Sequence, residues 1–212
     1  PSSDLEGKSA ISPNRHVDAA NPAELLDLIH AVREASGLPT GIKFVVGNIT
    51  PIQEFVKEIK TRGESSAPDF ITVDSGDGGT GAAPLEFANH VGMPMVEGLT
   101  FVHNTLRGAG IRDQVKIGAA GKLVSAFDIA RALAPGADWA NSARGFMFSL
   151  GCIQAQACHT HHCPVGEETQ AKLRQRALNA DEKSARLANF HRHHLHACGV
   201  MSRVTGQSAI RH

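Results

Sequence analysis

Four short apolar runs, each followed by a segment of helical spacing, predict an α/β fold on a parallel sheet. The runs occupy residues 42–46, 69–74, 115–119 and 137–142 of a 212-residue chain. Composition agrees, since 21 glycines and only 5% aromatic residues suit tight turns between strands and helices. The repeat spacing is that of a (β/α)8 TIM barrel, which takes about 250 residues for eight units. Four units make half of one.

Taken in order, residues 1–21 are polar and irregular, and Asn21-Pro22 opens a helix with Asn as cap and Pro at the first helical position. Leu25, Leu26, Leu28, Ile29 and Val32 form its apolar face, and Gly37 with Pro39 ends it. Residues 42–46 read as a buried parallel strand in which Lys43 is the exception. A helix over 51–60 places Ile52, Phe55, Val56 and Ile59 on one side. The strand 69–74 runs into the glycine-rich Gly76-Asp77-Gly78-Gly79-Thr80-Gly81. A helix over 95–109 leads to the strand 115–119, which ends at Ala120-Gly121-Lys122. A helix over 125–134 leads to the strand 137–142, which ends at Ala143-Arg144-Gly145 before helix resumes over 146–150. From residue 171 onward the tail is charged and helical with no strand signal, so two parts are expected, 1–170 and 171–212.

Composition narrows the function. Basic and acidic side chains number 21 each, a balance that argues against a nucleic-acid surface. No run of about 18 apolar residues is present to span a membrane, and no signal peptide is visible. The first residue is Pro1 rather than Met, as expected of a fragment or a processed product. Three of the four cysteines fall within a dozen residues, which reads as a metal or redox site in a reducing compartment, the cytoplasm.

Those three are Cys152, Cys158 and Cys163, spaced by five and four residues and followed by Pro164. Thiolates are soft ligands suited to iron–sulfur clusters or zinc. Three of them match a three-iron cluster, while His159, His161 or His162 would complete a tetrahedral zinc site. Lys43 is costly in an apolar strand unless its charge has a partner, and it would favour electron density on a ring beside it. Gly121-Lys122 and Ala143-Arg144 follow consecutive strands, where barrels bind phosphate through backbone N–H groups and a helix N-terminus. The run from Asp74 to Pro84 lacks the spacing of a P-loop or a dinucleotide fingerprint, and reads as backbone lying close to a ligand. His191, His193, His194 and His196, with Cys198 beside them, read as a solvated helix face.

With these residues in hand, the sequence resembles the FMN-binding glutamate synthase family, above all its shorter archaeal-type members. The likeness runs through ISPNRH, IKFVVG, DFITVDSGDGGTGAAP, LRGAGIRDQVKI, AGKLVSAFDIARAL, NSARGFMFSLGCIQAQAC and CPVG, nearly the whole chain. It implies the last four βα units of a TIM barrel, with the first half to be supplied by missing N-terminal sequence or a second chain. It implies formation of L-glutamate from 2-oxoglutarate and glutamine-derived ammonia, by hydride transfer from reduced FMN to 2-iminoglutarate. By position, Lys43 matches the lysine near the flavin pyrimidine, and Asp77, Gly78 and Gly79 match the loop beside the flavin and keto-acid pocket. Lys43 and Asp77 are the expected catalytic pair. Gly121 and Lys122, with Ala143 and Arg144, match the two FMN-phosphate turns. Cys152, Cys158 and Cys163 match the ligands of a 3Fe–4S cluster fed by an electron-donor protein or subunit. Two local departures are Ala120-Gly121-Lys122 where larger members have Asp-Gly-Gly, and GEETQ where members usually have GVATQ. Two rival readings remain: a non-catalytic metal-binding or electron-transfer piece, and an FMN-barrel oxidoreductase acting on 2-hydroxy acids. The latter would use a histidine base where this chain has Asp77, and would lack the cysteines.

Overall fold

The structure, a computed structural model, describes residues 16–77, 86–87 and 89–204. Four parallel strands form one sheet in the order β1 (Gly41–Val45), β2 (Phe70–Asp74), β3 (Lys116–Ala120) and β4 (Trp139–Asn141). Lys43 pairs in register with Thr72, Thr72 with Gly118 and Gly118 with Trp139. Helices α1 (Pro22–Ser36), α2 (Thr50–Arg62), α3 (Met95–Gly108), α4 (Ala126–Leu133) and α5 (Ala143–Leu150) alternate with the strands. A short α6 (Lys172–Gln175) and a long α7 (Ala180–Val204) complete the described chain. This is the expected α/β architecture, with strand order following chain order as in successive units of a barrel.

The elements form where local chemistry permits them. Asn21 Oδ1 accepts the Glu24 N–H at 2.9 Å and Glu24 reaches back to the Ala20 N–H at 2.7 Å, so both groups at the start of α1 are satisfied. Gly37 ends that helix in the left-handed region. Side chains alternate across each strand, and Ile71, Val73, Ile117 and Ala119 turn to the helices. There they meet Leu26 and Ile29 of α1, Phe55, Val56 and Ile59 of α2, and Leu99, Val102 and Leu106 of α3. Burying each of the larger side chains contributes about 1.5–3 kcal/mol. The opposite face of the sheet carries Lys43, Thr72, Asp74 and Trp139, and Trp139 meets Phe70 edge-on with centroids 5.8 Å apart.

Two arginines lock the starts of the strands. Arg33 Nε donates to Asp69 Oδ2 at 3.0 Å and Nη2 to the Ala67 carbonyl, while the same carboxylate accepts the Thr40 N–H. The second lock repeats this design. Arg112 Nη2 donates to Asp138 Oδ2 at 2.9 Å and to the Gly136 carbonyl, Nη1 to the Val115 carbonyl, and Asp138 accepts the Ile117 N–H. Each carboxylate thus holds the backbone of the neighbouring strand.

The tail differs from the sequence expectation. One face of α7 packs on α4 and α5. Phe190 meets Phe146 at 5.2 Å and His194 at 4.8 Å, and Cys198 is only 3% exposed. His191, His193 and His196 are exposed as expected, but His194 is half-buried. The reason lies in spacing, since Phe190, His194 and Cys198 recur every fourth residue and share one helix face.

Arg112 is the more buried lock, its side chain 13% exposed. Arg112→Ala should cost about 2–3 kcal/mol, because one carboxylate and two carbonyls lose a charged donor. Urea unfolding would show this as a lower midpoint at unchanged slope. Arg112→Lys should recover only part, since a compact ammonium cannot span acceptors that the planar guanidinium reaches through three separate nitrogens.

Candidate functional site

All four strands end at the same edge of the sheet, and the expected site residues gather along it. Lys43 points along the helix-free face, and its Nζ pairs with Asp74 Oδ2 at 2.6 Å. Asp74 lies two residues farther along the neighbouring strand from the Lys43 partner Thr72, so both side chains emerge on one face. The sequence reading missed Asp74 as the counter-charge, although a strand ending in Asp beside a strand carrying Lys was the available signal. Asp77 accepts the Met95 N–H at 2.9 Å and so caps the first turn of α3. Gly78 and Gly79 lie outside the described residues.

The turn after β3 is built against the turn after β2. Gly121 has φ +111°, and a Cβ there would run into the Ser75 hydroxyl. Lys122 follows with φ +55°, in the left-handed region a side chain adopts only at some cost. The turn ends in a capping box: Ser125 Oγ accepts the Asp128 N–H, and Asp128 Oδ2 accepts the N–H groups of Val124 and Ser125. Burial alone would push the Asp128 carboxyl up, but these donors and the nearby Arg131 hold it below the ordinary 3.8.

The next turn leaves its helix open. Ser142 occupies the cap position of α5 but gives its hydroxyl to the Leu123 carbonyl at 2.7 Å, so no side chain caps the first N–H groups. Ala143, Arg144 and Gly145 form the first turn of α5, where the sequence suggested a loop. Glycine is a poor helix former. Gly145 is used because a Cβ would sit 2.9 Å from the Phe190 ring of α7. Lys122 is exposed and Arg144 half-buried, and neither makes a hydrogen bond or ion pair with a described residue. Ala120 pairs with Asn141, so the two cationic turns emerge side by side.

Helix α5 ends at Gly151, and Cys152 follows at once. The cysteine loop wraps through left-handed residues at Gln154, Gln156 and His161. All three thiols are free, with Cys163 buried and Cys152 and Cys158 half-buried. Burial would push the Cys163 thiol up, but backbone N–H groups of Glu168, Val165, Glu167 and Gly166 hold it below its ordinary value. Cys158 is pushed up, by burial and then by the charges of Cys152 and Cys163 nearby. Among the described residues, no three His, Cys, Asp or Glu side chains converge on a single-ion site. A cluster distributes its thiolates over several irons, so its ligands need not meet at one point.

The segment after Cys163 straps this loop down. Thr169 Oγ1 donates to the His161 carbonyl at 2.6 Å, and Arg174 Nη1 to the His162 carbonyl at 3.1 Å. Both carboxylate oxygens of Glu167 are buried without a hydrogen-bond partner among the described residues. Burial pushes its carboxyl up, and Lys183 of α7 opposes that shift.

With this geometry in place, comparison with known proteins decides the family. Residues 3–206 match the family model described as the conserved region in glutamate synthase. The chain belongs to the glutamate synthase family. It is 45% identical over 184 residues to the glutamate synthase large subunit-like protein YerD of Bacillus subtilis, covering 87% of this chain and 35% of that protein. To an archaeal-type glutamate synthase [NADPH] of Thermotoga sp. it is 34% identical over 207 residues, covering 96% of this chain and 39% of the relative. A ferredoxin-dependent glutamate synthase 2 of Synechocystis is 34% identical over 172 residues, 80% of this chain and 11% of its own length. This chain therefore spans little more than a third of YerD and the archaeal-type relative. No helix among the described residues is long and apolar enough to cross a membrane.

The Asp128 carboxylate stabilises the turn only while it is ionised. Its folded value is depressed, so its contribution is complete above 3.8 and is lost as pH falls through the lower folded value. Asp128→Ala should cost about 1 kcal/mol at neutral pH. The gap from the unsubstituted protein should close in acid, as thermal unfolding at stepped pH would show.

Proposed function

We propose that this chain is the flavin-phosphate and iron–sulfur portion of a cytoplasmic glutamate synthase. In that reading it supplies the last four βα units of a (β/α)8 barrel, residues 1–170, followed by the tail 171–212. The remaining length of the protein, or a second chain, supplies the other wall.

The observation that carries this reading is helix α5. Its uncapped N-terminus lies in the turn after β4, next to the turn after β3, and its C-terminus delivers Cys152. Eight residues at 1.5 Å each make a helix about 12 Å long, so one rigid element ties an anion site to a thiolate loop. The free N–H groups of α5, with Lys122 and Arg144, suit the phosphate of FMN, since the helix dipole and both cations favour a dianion there. The soft donor set suits a 3Fe–4S cluster on Cys152, Cys158 and Cys163, and the amides around Cys163 favour its ionised form. When bound, FMN would supply hydride transfer to the imine of 2-oxoglutarate, and the cluster would supply single electrons.

Within that site Lys43 sets the charge beside the flavin ring, and Asp74 keeps the ammonium oriented. Asp77 holds the start of α3, and in this reading it stands at the entry to the glycine-rich run expected beside the keto acid. Ammonia derived from glutamine would arrive from a part of the protein beyond these residues.

Two measurements test this. Arg144→Ala should weaken FMN binding about tenfold while leaving riboflavin binding nearly unchanged, as loss of one charge-assisted phosphate contact requires. Equal losses for both ligands would place the phosphate elsewhere. Anaerobically prepared protein should contain iron and acid-labile sulfide, and serine at Cys152, Cys158 or Cys163 should abolish the visible absorbance. Stoichiometric zinc without sulfide would replace the cluster by a zinc site.

A further inference from the structure

The helix-free face of the sheet carries an opposed pair of charges near the strand ends. Lys43 stands in a row with Thr72, Gly118 and Trp139 across the four strands. That row is filled, for Thr72 is only 6% exposed and the Trp139 ring lies where a Cβ on Gly118 would stand. The Lys43 side chain rises past the row instead, and its Nζ meets Asp74 Oδ2 at 2.6 Å. The other oxygen of Asp74, Oδ1, accepts the Ser75 N–H at 2.9 Å. Backbone thus fixes the carboxylate, and the carboxylate fixes the ammonium.

The Lys43 side chain is 56% exposed and that of Asp74 21%. A pair so open at one partner adds little to stability, yet it decides where a cation stands. Neighbouring strands lie about 4.8 Å apart, so β4 is about 14 Å from β1. A long ligand anchored by its phosphate beyond β3 and β4 therefore brings its far end towards Lys43. A lone ammonium there would favour the negative charge that a flavin ring gains on reduction, and would raise its potential. A carboxylate in contact with the ammonium converts that charge into a dipole, whose field dies away faster with distance. It also stops the flexible four-carbon stem from swinging the ammonium closer to the ring.

We infer that Asp74 is a positioning residue that holds the Lys43 ammonium back from the flavin ring and so keeps the reduction potential of bound FMN low. The inference rests on the proposed placement of FMN and assigns Asp74 the direction in which it acts there. A lower potential makes the reduced ring a stronger donor to the imine. A hydride leaves that ring, which is oxidised, and forms a C–H bond at the imine carbon. The C=N π bond opens as it does so, and the nitrogen takes a proton from solvent. The ion pair thus favours amine formation over the reverse reaction.

The test uses the full-length holoprotein with FMN bound. Asp74→Asn keeps an oxygen for the Ser75 N–H and removes the counter-charge. Anaerobic reduction by dithionite against a reference dye should show the FMN couple shifted towards reduction about tenfold, which is about 30 mV for two electrons. Sulfite, which adds to oxidised flavin and leaves negative charge on the ring, should bind about tenfold more tightly. Asp74→Ser, a second neutral replacement, should give the same two shifts, and Asp74→Glu, which keeps the charge, should return both readings most of the way. In a Lys43→Gln background, Asp74→Asn should change either reading by about twofold or less, because no ammonium is there to release. Unchanged potential and sulfite affinity in both neutral variants, with FMN still bound, overturn the role of Asp74 and leave the FMN reading standing. Equal shifts with and without Lys43 also overturn it, since the carboxylate would then act on the ring directly. Full-length protein that holds no FMN removes the proposed function and this inference together.

Discussion

Parallel pairing governs this structure, because a parallel strand cannot return by a tight turn and must be followed by a crossover. Every strand here therefore ends at one edge of the sheet, and the helices that follow them, α2 to α5, start from there. The opposite edge is free to be used for stability alone. That division is visible in the side chains. Arg33–Asp69 and Arg112–Asp138 lock the strand starts with fully engaged carboxylates. At the other edge, Lys122 and Arg144 have no partner among the described residues, and no side chain caps α5. Cations and a helix N-terminus that no protein group engages are met by water or by an anionic ligand.

Helix α5 translates this geometry into chemistry. Its first turn begins directly after β4, which places the N–H groups beside the turn after β3. Its length then determines how far the cysteine loop lies from the proposed anion site. Gly145 shows how closely the tail controls this helix, since α7 reaches the backbone through Phe190 where a side chain would collide. Lys183, also of α7, approaches Gly151 at the other end of α5. The tail thus clamps both ends of the element that joins the two proposed cofactor sites.

The thiol loop has its own economy of charge. Burial first, and then the charges of Cys152 and Cys163 nearby, make Cys158 resist ionisation. At Cys163 four backbone amides outweigh the opposing effect of burial and hold the thiol below its ordinary value. Gln154, Gln156 and His161 take left-handed backbone where the short loop turns between its cysteines.

Strand and helix existence, their order and the parallel class were all legible in the sequence, because apolar periodicity is a local signal that each element writes for itself. So were Lys43, the turn at Gly121 and the cysteine spacing, since unusual residues at element ends stand out against that pattern, whereas Ala143, Arg144 and Gly145 form the first turn of a helix and not the expected loop. What only the tertiary structure decided depends on residues far apart in the chain. Asp74 meets Lys43 because two strands lie in register, and Ser142 abandons its cap because the Leu123 carbonyl comes within reach. Phe190, His194 and Cys198 share a face that looked solvated until α5 and α4 covered it. Local periodicity identifies an element, while the partners of its charges are chosen by three-dimensional proximity, which no local pattern encodes.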